Sequence, residues 1–267
     1  MEQINARSIF SPATGYIRRG GFDWTCNPYL GCSFGCSYCY AMFLPQNRRP
    51  KEDWGKWFQA KGNAVELARK QGPRLACQAL YMSSVTDPYL PAEASLRLTR
   101  GILEALIPYQ PRLLIQTRGP LVVRDRDVLR QFSSVRVNIS IPTDSDVVRR
   151  VFEPKAPPLE KRWQALAQLK AAGLSVGICI TPVLPLDDAE SFMARLAAFQ
   201  PDVLVTQDFH DSGGGFGADT GARARRLLEE RPRTAADYKQ FVERLRRYLP
   251  VYEGEAGFFP PPAPFGS

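Results

Sequence analysis

From about residue 75 onward, short runs of branched apolar residues alternate with segments of helical period, and this alternation limits the fold more than any other feature. The strands read as 78–84, 112–118, 134–141, 175–183 and 202–209, with an earlier one at 22–27. Helices are expected at 40–71, 92–107, 124–132, 158–172 and 188–199. Near-continuous apolar strands separated by helices point to a parallel sheet covered by helices. Six such units fall short of the eight that close a full barrel, so the expected fold is α/β, a partial (β/α)6 barrel. Local punctuation agrees: Asp187 and Asp188 can cap 188–199, and Gly173 stands where a left-handed stop would end 158–172. Within 158–172, Leu159, Trp163, Leu166 and Leu169 recur at helical spacing and form a buried stripe.

Strand alternation also assigns the faces. Val135, Val137, Ile139 and Ile141 share one side of 134–141, with Arg136, Asn138 and Ser140 on the other. Likewise Gly177, Cys179 and Thr181 alternate with Val176, Ile178 and Ile180. An apolar face toward the helices and a polar face toward a cavity is the pattern of a barrel that takes a ligand inside.

Three regions are expected: an N-terminal extension at 1–21, the partial barrel at 22–210, and a C-terminal region at 211–267. The glycine-rich loop His210–Gly217 crosses into the last region, which continues as a basic helical segment and ends in a tail with Phe258, Phe259, Pro260–Pro262, Pro264 and Phe265. Lys plus Arg exceed Asp plus Glu by 35 − 27 = 8. Residues 222–249 hold nine basic and four acidic side chains, so they carry +5 of that excess. Such a segment is either an electrostatic footprint for nucleic acid or a solvated face laced with ion pairs. Arg48, Arg49, Trp54, Lys56 and Trp57 pose the same choice between stacking on nucleic acid and packing on the barrel. No apolar run approaches the ~20 residues of a membrane helix, and residues 1–10 show no secretory pattern, so the expectation is a cytoplasmic protein with no membrane partner.

Six cysteines stand at 26, 32, 36, 39, 77 and 179, three of them within eight residues. In a chain this long and without a secretion signal, such a cluster reads as metal ligands before disulfides. Cys32, Cys36 and Cys39 form CxxxCxxC on a loop tightened by Gly31 and Gly35. Three thiolates can hold three irons of a cubane and leave the fourth open. A tetrahedral zinc site is the alternative, but it needs a fourth ligand. Cys26 lies at the loop base, and the single histidine is His210. Cys77 and Cys179 read first as small buried hydrophobes.

The triplet, with Tyr38 just before its third cysteine, resembles the signature of the radical S-adenosylmethionine (SAM) superfamily. Within it the chain is similar to the group related to spore photoproduct lyase. That likeness rests on Asn27-Pro28-Tyr29, Val85-Thr86-Asp87-Pro88, Thr117-Arg118 and Phe152-Glu153-Pro154. The resemblance covers roughly residues 20–210 and implies a 4Fe–4S cluster on Cys32, Cys36 and Cys39 whose open iron is chelated by SAM. One electron from a low-potential donor of flavodoxin or ferredoxin type would then yield a 5′-deoxyadenosyl radical that abstracts hydrogen. It further implies SAM contacts: Tyr38 and Tyr40 at the adenine, Ser83 and Ser84 at the methionine amino group, and Arg118 at its carboxylate. Asn138 and Ser140 would meet the ribose and carboxylate, and Thr181 the adenine edge.

Spore photoproduct lyase returns hydrogen from a cysteine after its second barrel strand, where this chain has Ser84. An O–H bond is too strong for that role, so Cys179, facing inward on the fifth strand, is the candidate thiol. Three function classes follow. One is a lyase-like enzyme acting on a nucleic acid or nucleoside, in DNA photolyase-like repair or modification. The others are an enzyme acting on a peptide or small metabolite, and a metal-bearing nucleic-acid-binding module without turnover. His210 beside Asp211 and Ser212 cannot form a hydrolytic triad from consecutive positions and reads as loop chemistry or a substrate-side acid.

Overall fold

The structure is a computed structural model that describes residues 2–209, 221–232 and 234–263. In chain order its strands are β1 (Glu2–Ile4), β2 (Phe10–Pro12), β3 (Trp24–Cys26), β4 (Tyr29–Gly31), β5 (Phe58–Lys61), β6 (Ala79–Met82), β7 (Arg112–Thr117), β8 (Val135–Ser140), β9 (Ser175–Ile180), β10 (Val203–Thr206) and β11 (Tyr252–Glu253). Eight of them form one sheet in the order β11-β10-β9-β8-β7-β6-β3-β2. Every neighbouring pair from β3 to β11 is parallel, and only β2 runs antiparallel, against β3. The order ends at β2 and β11 without joining them, so the barrel is open. The six expected strands correspond to β3 and β6 through β10.

The outer face carries the larger core. Leu80, Met82, Leu113, Ile115, Val137, Ile139, Val176, Ile178 and Ile180 all lie in one buried cluster with Ile102, Leu106, Trp163, Leu166 and Phe192 from the helices. Asp188 caps the helix Ala189–Phe199 by accepting from the Ser191 amide, a contact worth ~1 kcal/mol. Gly173 is left-handed, at φ +79°, just past the helix Leu159–Ala171.

The inner face is apolar at one end. Ala79, Tyr81, Leu114, Cys179, Val203 and Val205 pack there with Phe22 and Phe258. The tail thus lies across the barrel floor. Ser134 donates to the Pro262 carbonyl at 2.6 Å, and Arg136 to the Phe259 carbonyl at 2.6 Å.

Several sequence expectations are corrected. The segment 40–71 is not one helix. It holds short 3-10 turns at Tyr40–Phe43 and Lys51–Asp53, then β5, and an α-helix only at Ala64–Gln71. Pro45 and Pro50 lack the amide a helix needs, and Gly55 sits at φ +84°. β5 joins β1 and β4 in a separate three-stranded sheet, which the sequence reading missed. The expected helix 124–132 shrinks to Arg126–Leu129 after a 3-10 stretch at Pro120–Asp125. The helix 92–107 is broken at Arg97, which is left-handed at φ +53°.

The basic segment is two helices, Ala222–Glu230 and Ala235–Leu245, separated around Pro232 and restarted by a capping box of Thr234 and Asp237. Cys77, expected in the core, is exposed at a left-handed turn before β6. His210–Gly217, Pro264 and Phe265 lie outside the described residues. No helix among the described residues is long and apolar enough to cross a membrane.

Candidate active site

The cysteine loop follows β4 and turns on two left-handed glycines, Gly31 at φ +74° and Gly35 at φ +66°. Only glycine fits at either position. A Cβ on Gly31 would stand 2.7 Å from the Trp57 ring, and one on Gly35 would stand 3.0 Å from the Gly55 Cα. The 54–57 segment therefore lies directly on the loop. Cys32 and Cys36 are buried and Cys39 is half-buried. The Cys39 amide donates to the Cys36 carbonyl at 3.1 Å, which closes the turn between the last two thiols.

The short motifs singled out in the sequence all converge on this loop. Thr86 donates to the Gly31 carbonyl at 2.6 Å, and Asn27 Oδ1 accepts from the Val85 amide at 3.2 Å. Asp87 is buried and accepts from the Thr117 hydroxyl, the Arg118 amide and the Tyr89 amide at 2.7, 2.8 and 2.8 Å. The Ser37 amide donates to the Phe152 carbonyl at 2.8 Å, and the Lys155 amide to the Phe34 carbonyl at 3.2 Å. Four motifs scattered between Asn27 and Pro154 thus build one wall.

Each residue expected at SAM has a definite place. Tyr38 donates its hydroxyl to Glu153, and Tyr40 donates to the Ser84 carbonyl. Arg118 donates from Nε to Glu153 at 2.6 Å and from Nη2 to the Tyr38 hydroxyl at 3.0 Å. Ser83 follows β6 in a left-handed conformation, φ +74°, and Ser84 Oγ accepts from Asn27 Nδ2 at 3.4 Å. Inside the barrel, Cys179 Sγ donates to Gln116 Oε1 at 3.3 Å, and Gln116 Nε2 donates to Ser140 Oγ at 3.0 Å. Asn138 is buried beside Gly177, where a Cβ would fall 2.1 Å from its Oδ1. Thr181 follows β9, half-buried, ahead of a cis proline. The structure thus joins Tyr38 to Arg118, Tyr40 to Ser84, and Ser140 to Cys179. It leaves Asn138 beside Arg136, whose Nε it accepts at 3.2 Å.

Sequence reasoning missed Gln116 and Arg162 as parts of the site and quoted Asp87 and Glu153 only within motifs. Gln116 carries a readable signal, because it shares the inward register of its strand with Leu114 and Arg118. The aromatic and basic residues near 48–57 split their roles. Trp54 packs against the cluster that includes Cys32 and Cys36. Arg49 stacks over Trp57 at 4.7 Å and pairs with Glu2 at 3.1 Å. Lys56 pairs with Asp53 at 3.2 Å.

Burial pushes the Cys32 thiol up to about 12 and the Cys36 and Cys39 thiols upward as well. The Arg118 guanidinium opposes that rise at all three, so it stabilises the thiolates a metal requires. Among the described residues no three His, Cys, Asp or Glu side chains are grouped to hold a single ion. A cubane takes one thiolate per iron, so its ligands need not converge on a point as zinc ligands must. Cys26, the candidate fourth ligand, is instead fully buried in the outer core. The polar lining also fits a ligand: among the described residues, Ser33 Oγ, Ser37 Oγ, Ser83 Oγ and Asn138 Nδ2 are buried without a hydrogen-bond partner. Buried polar groups are nearly always bonded, so these atoms are open to a bound group.

Residues 26–196 match the family model described as the radical SAM superfamily. An uncharacterised protein of Methanocaldococcus jannaschii is 34% identical over 180 residues, which cover 67% of this chain and 68% of that one. A protein of Pseudomonas phage M6 named radical SAM Nalpha-GlyT isomerase is 26% identical over 176 residues, 64% of this chain and 36% of its own length. Among solved structures, spore photoproduct lyase complexed with dinucleoside spore photoproduct superposes with a TM-score of 0.64 at 15% identity. That match covers 94% of this chain and 81% of the lyase.

Proposed function

This chain belongs to the radical SAM superfamily, and on that premise we propose that it is a hydrogen-abstracting enzyme whose substrate is a nucleic acid or nucleoside. The family uses a 4Fe–4S cluster and SAM, which together supply a 5′-deoxyadenosyl radical when reduced by one electron. The observation that carries the substrate reading is the extent of the likeness to a lyase holding a dinucleoside, which spans nearly the whole described chain.

In this reading Cys32, Cys36 and Cys39 bind iron through thiolates, with Gly31 and Gly35 shaping the loop. Arg118 offers a directional, charge-assisted contact to the methionine carboxylate. Ser83 and Ser84 meet the amino group, Tyr38 and Tyr40 the adenine, Asn138 and Ser140 the ribose and carboxylate, and Thr181 the adenine edge. Cys179, held toward Gln116 on the inner face, donates a hydrogen atom to the product radical. Its S–H bond breaks and a C–H bond forms. The external electron donor, of flavodoxin or ferredoxin type, then restores the thiol with one electron and one proton from solvent.

The basic helices temper the nucleic-acid reading. Arg226, Arg231, Arg244 and Arg246 pair with Glu230, Asp187, Glu190 and Glu253, so much of that charge is locally neutralised. Arg223, Lys239 and Arg247 remain exposed. A peptide or small metabolite is the second reading this pairing favours. Salt decides between them. Binding of a duplex DNA oligonucleotide should weaken linearly in log–log against salt, with a slope of about −0.9 for each phosphate neutralised. Equal SAM cleavage with and without nucleic acid, together with no oligonucleotide binding at low salt, overturns the nucleic-acid reading.

A further inference from the structure

Glu153 is fully buried, yet it is bound by two arginines and a tyrosine. Oε1 accepts from Arg118 Nε at 2.6 Å and from the Tyr38 hydroxyl, while Oε2 accepts from Arg162 Nη2 at 2.5 Å. Arg162 is also fully buried. Its Nη1 donates to the Ser140 carbonyl at 2.9 Å and its Nε to the Pro157 carbonyl at 2.9 Å. The carboxylate is therefore fixed from behind by β8 and the helix Leu159–Ala171.

From the front it fixes Arg118. The Arg118 backbone is already held by Asp87 through its amide, and Glu153 takes Nε of the guanidinium. Tyr38 takes Nη2 and carries the same arrangement to the cysteine loop, between Cys36 and Cys39. The Arg118 side chain is 19% exposed, whereas Glu153 is 0% exposed. Glu153 cannot touch a ligand, but the planar guanidinium can, and two of its three nitrogens are committed to the protein. A guanidinium bound at both Nε and Nη2 cannot rotate about its stem, so the direction of Nη1 is set in advance.

We propose that Glu153 is the positioning residue that aims Arg118 at the carboxylate of SAM and couples that aim, through Tyr38, to the cysteine loop. The proposal rests on the reading of Arg118 as the carboxylate contact. A buried charge serving only to hold the fold would be dispensable for that aim. Hydrophobic packing often replaces such pairs without loss of stability.

The test is a double-mutant cycle on SAM affinity, measured by equilibrium dialysis on anaerobically reconstituted protein. It is read alongside the electron paramagnetic resonance spectrum of the reduced cluster with and without SAM. Arg118→Gln should weaken SAM by roughly tenfold or more, as loss of a charge-assisted contact does. Glu153→Gln should weaken it by about fivefold with iron content unchanged, and should have no further effect in the Arg118→Gln background. If Glu153→Gln does not fold, Glu153→Asp takes its place. It keeps the charge between the arginines but draws the carboxylate back by one methylene, and it should weaken SAM by about threefold with the same non-additivity. Equal weakening by the Glu153 variant in both backgrounds, or no weakening in either, overturns the proposal. Wild-type affinity in Arg118→Gln instead overturns the reading of Arg118. A normal Glu153 variant beside an impaired Arg118→Gln removes the proposal alone.

Discussion

The carboxylate of Asp87 accepts a hydrogen bond from the backbone amide of Arg118 at 2.8 Å, so the two short motifs after β6 and at the end of β7 are parts of one joint. The same carboxylate takes the Thr117 hydroxyl and the Tyr89 amide. Asp87→Ala strands all three donors in a buried site. The expected cost is about 3 kcal/mol of stability, from unsatisfied buried groups at ~1–3 kcal/mol each. SAM affinity should fall with it, because the Arg118 backbone loses its anchor. Urea unfolding and SAM binding on the same preparation check both.

Gly55 presses on the cysteine loop with no room for a side chain. A Cβ there would lie 2.5 Å from the Gly35 Cα, and the residue's φ of +84° adds strain of ~1–3 kcal/mol to any non-glycine. Gly55→Ala is therefore expected to keep its far-UV circular dichroism while incorporating roughly half the wild-type iron or less. Full iron loading in that variant would show that the loop tolerates movement of the 54–57 segment.

Stability in acid should report Glu153. Burial alone would raise its carboxyl, but Arg162 and Arg118 reverse that and hold it at about 2, below the ordinary 4.5. A carboxyl depressed on folding stabilises the protein above its unfolded value and loses that contribution as pH falls toward its folded value. Wild type should therefore lose stability between about pH 4.5 and pH 2 through this group. Glu153→Gln, with nothing to protonate there, should lose less across the same window. Urea midpoints at pH 6 and pH 3 for both proteins measure the difference. Equal losses would mean the ion pairs add little.

Cys179 lies in the inner core, apart from the cysteine loop, and bonds to Gln116 within the barrel. Burial pushes its thiol up to about 12, so it is a neutral S–H at physiological pH, the form a hydrogen-atom donor needs. Cys179→Ala should load cluster and SAM normally. Product formation on its substrate should fall by roughly tenfold, about 1.4 kcal/mol in barrier, while SAM cleavage continues. Unchanged product yield per SAM consumed would leave the hydrogen donor elsewhere.

The legibility of the chain follows its physics. Strands such as Val135–Ser140 and Ser175–Ile180 were readable because alternation fixes both their existence and their inward residues. The segment 40–71 reads as a helix because Trp54, Trp57 and Phe58 fall at helical spacing, but Pro50, Gly55 and Gly62 break the backbone into turns and β5. The three-stranded sheet was invisible because its short strands mix polar and half-exposed residues, without the continuous apolar runs that mark β6 and β10. In the site, the thiols were legible from spacing alone. Gln116 was legible only as an inward-facing residue of its strand, and Arg162 not at all, because what matters is which distant group each faces: Ser140 and Cys179 for one, Glu153 for the other.

The measurement that bears most directly on the whole account is release of 5′-deoxyadenosine. Protein reconstituted anaerobically with iron and sulfide receives SAM and dithionite, beside a Cys36→Ala control. The account predicts 5′-deoxyadenosine and methionine in equal amounts from wild type and none above background from the variant. A wild-type protein that assembles no iron–sulfur cluster, or equal release from Cys36→Ala, would contradict it.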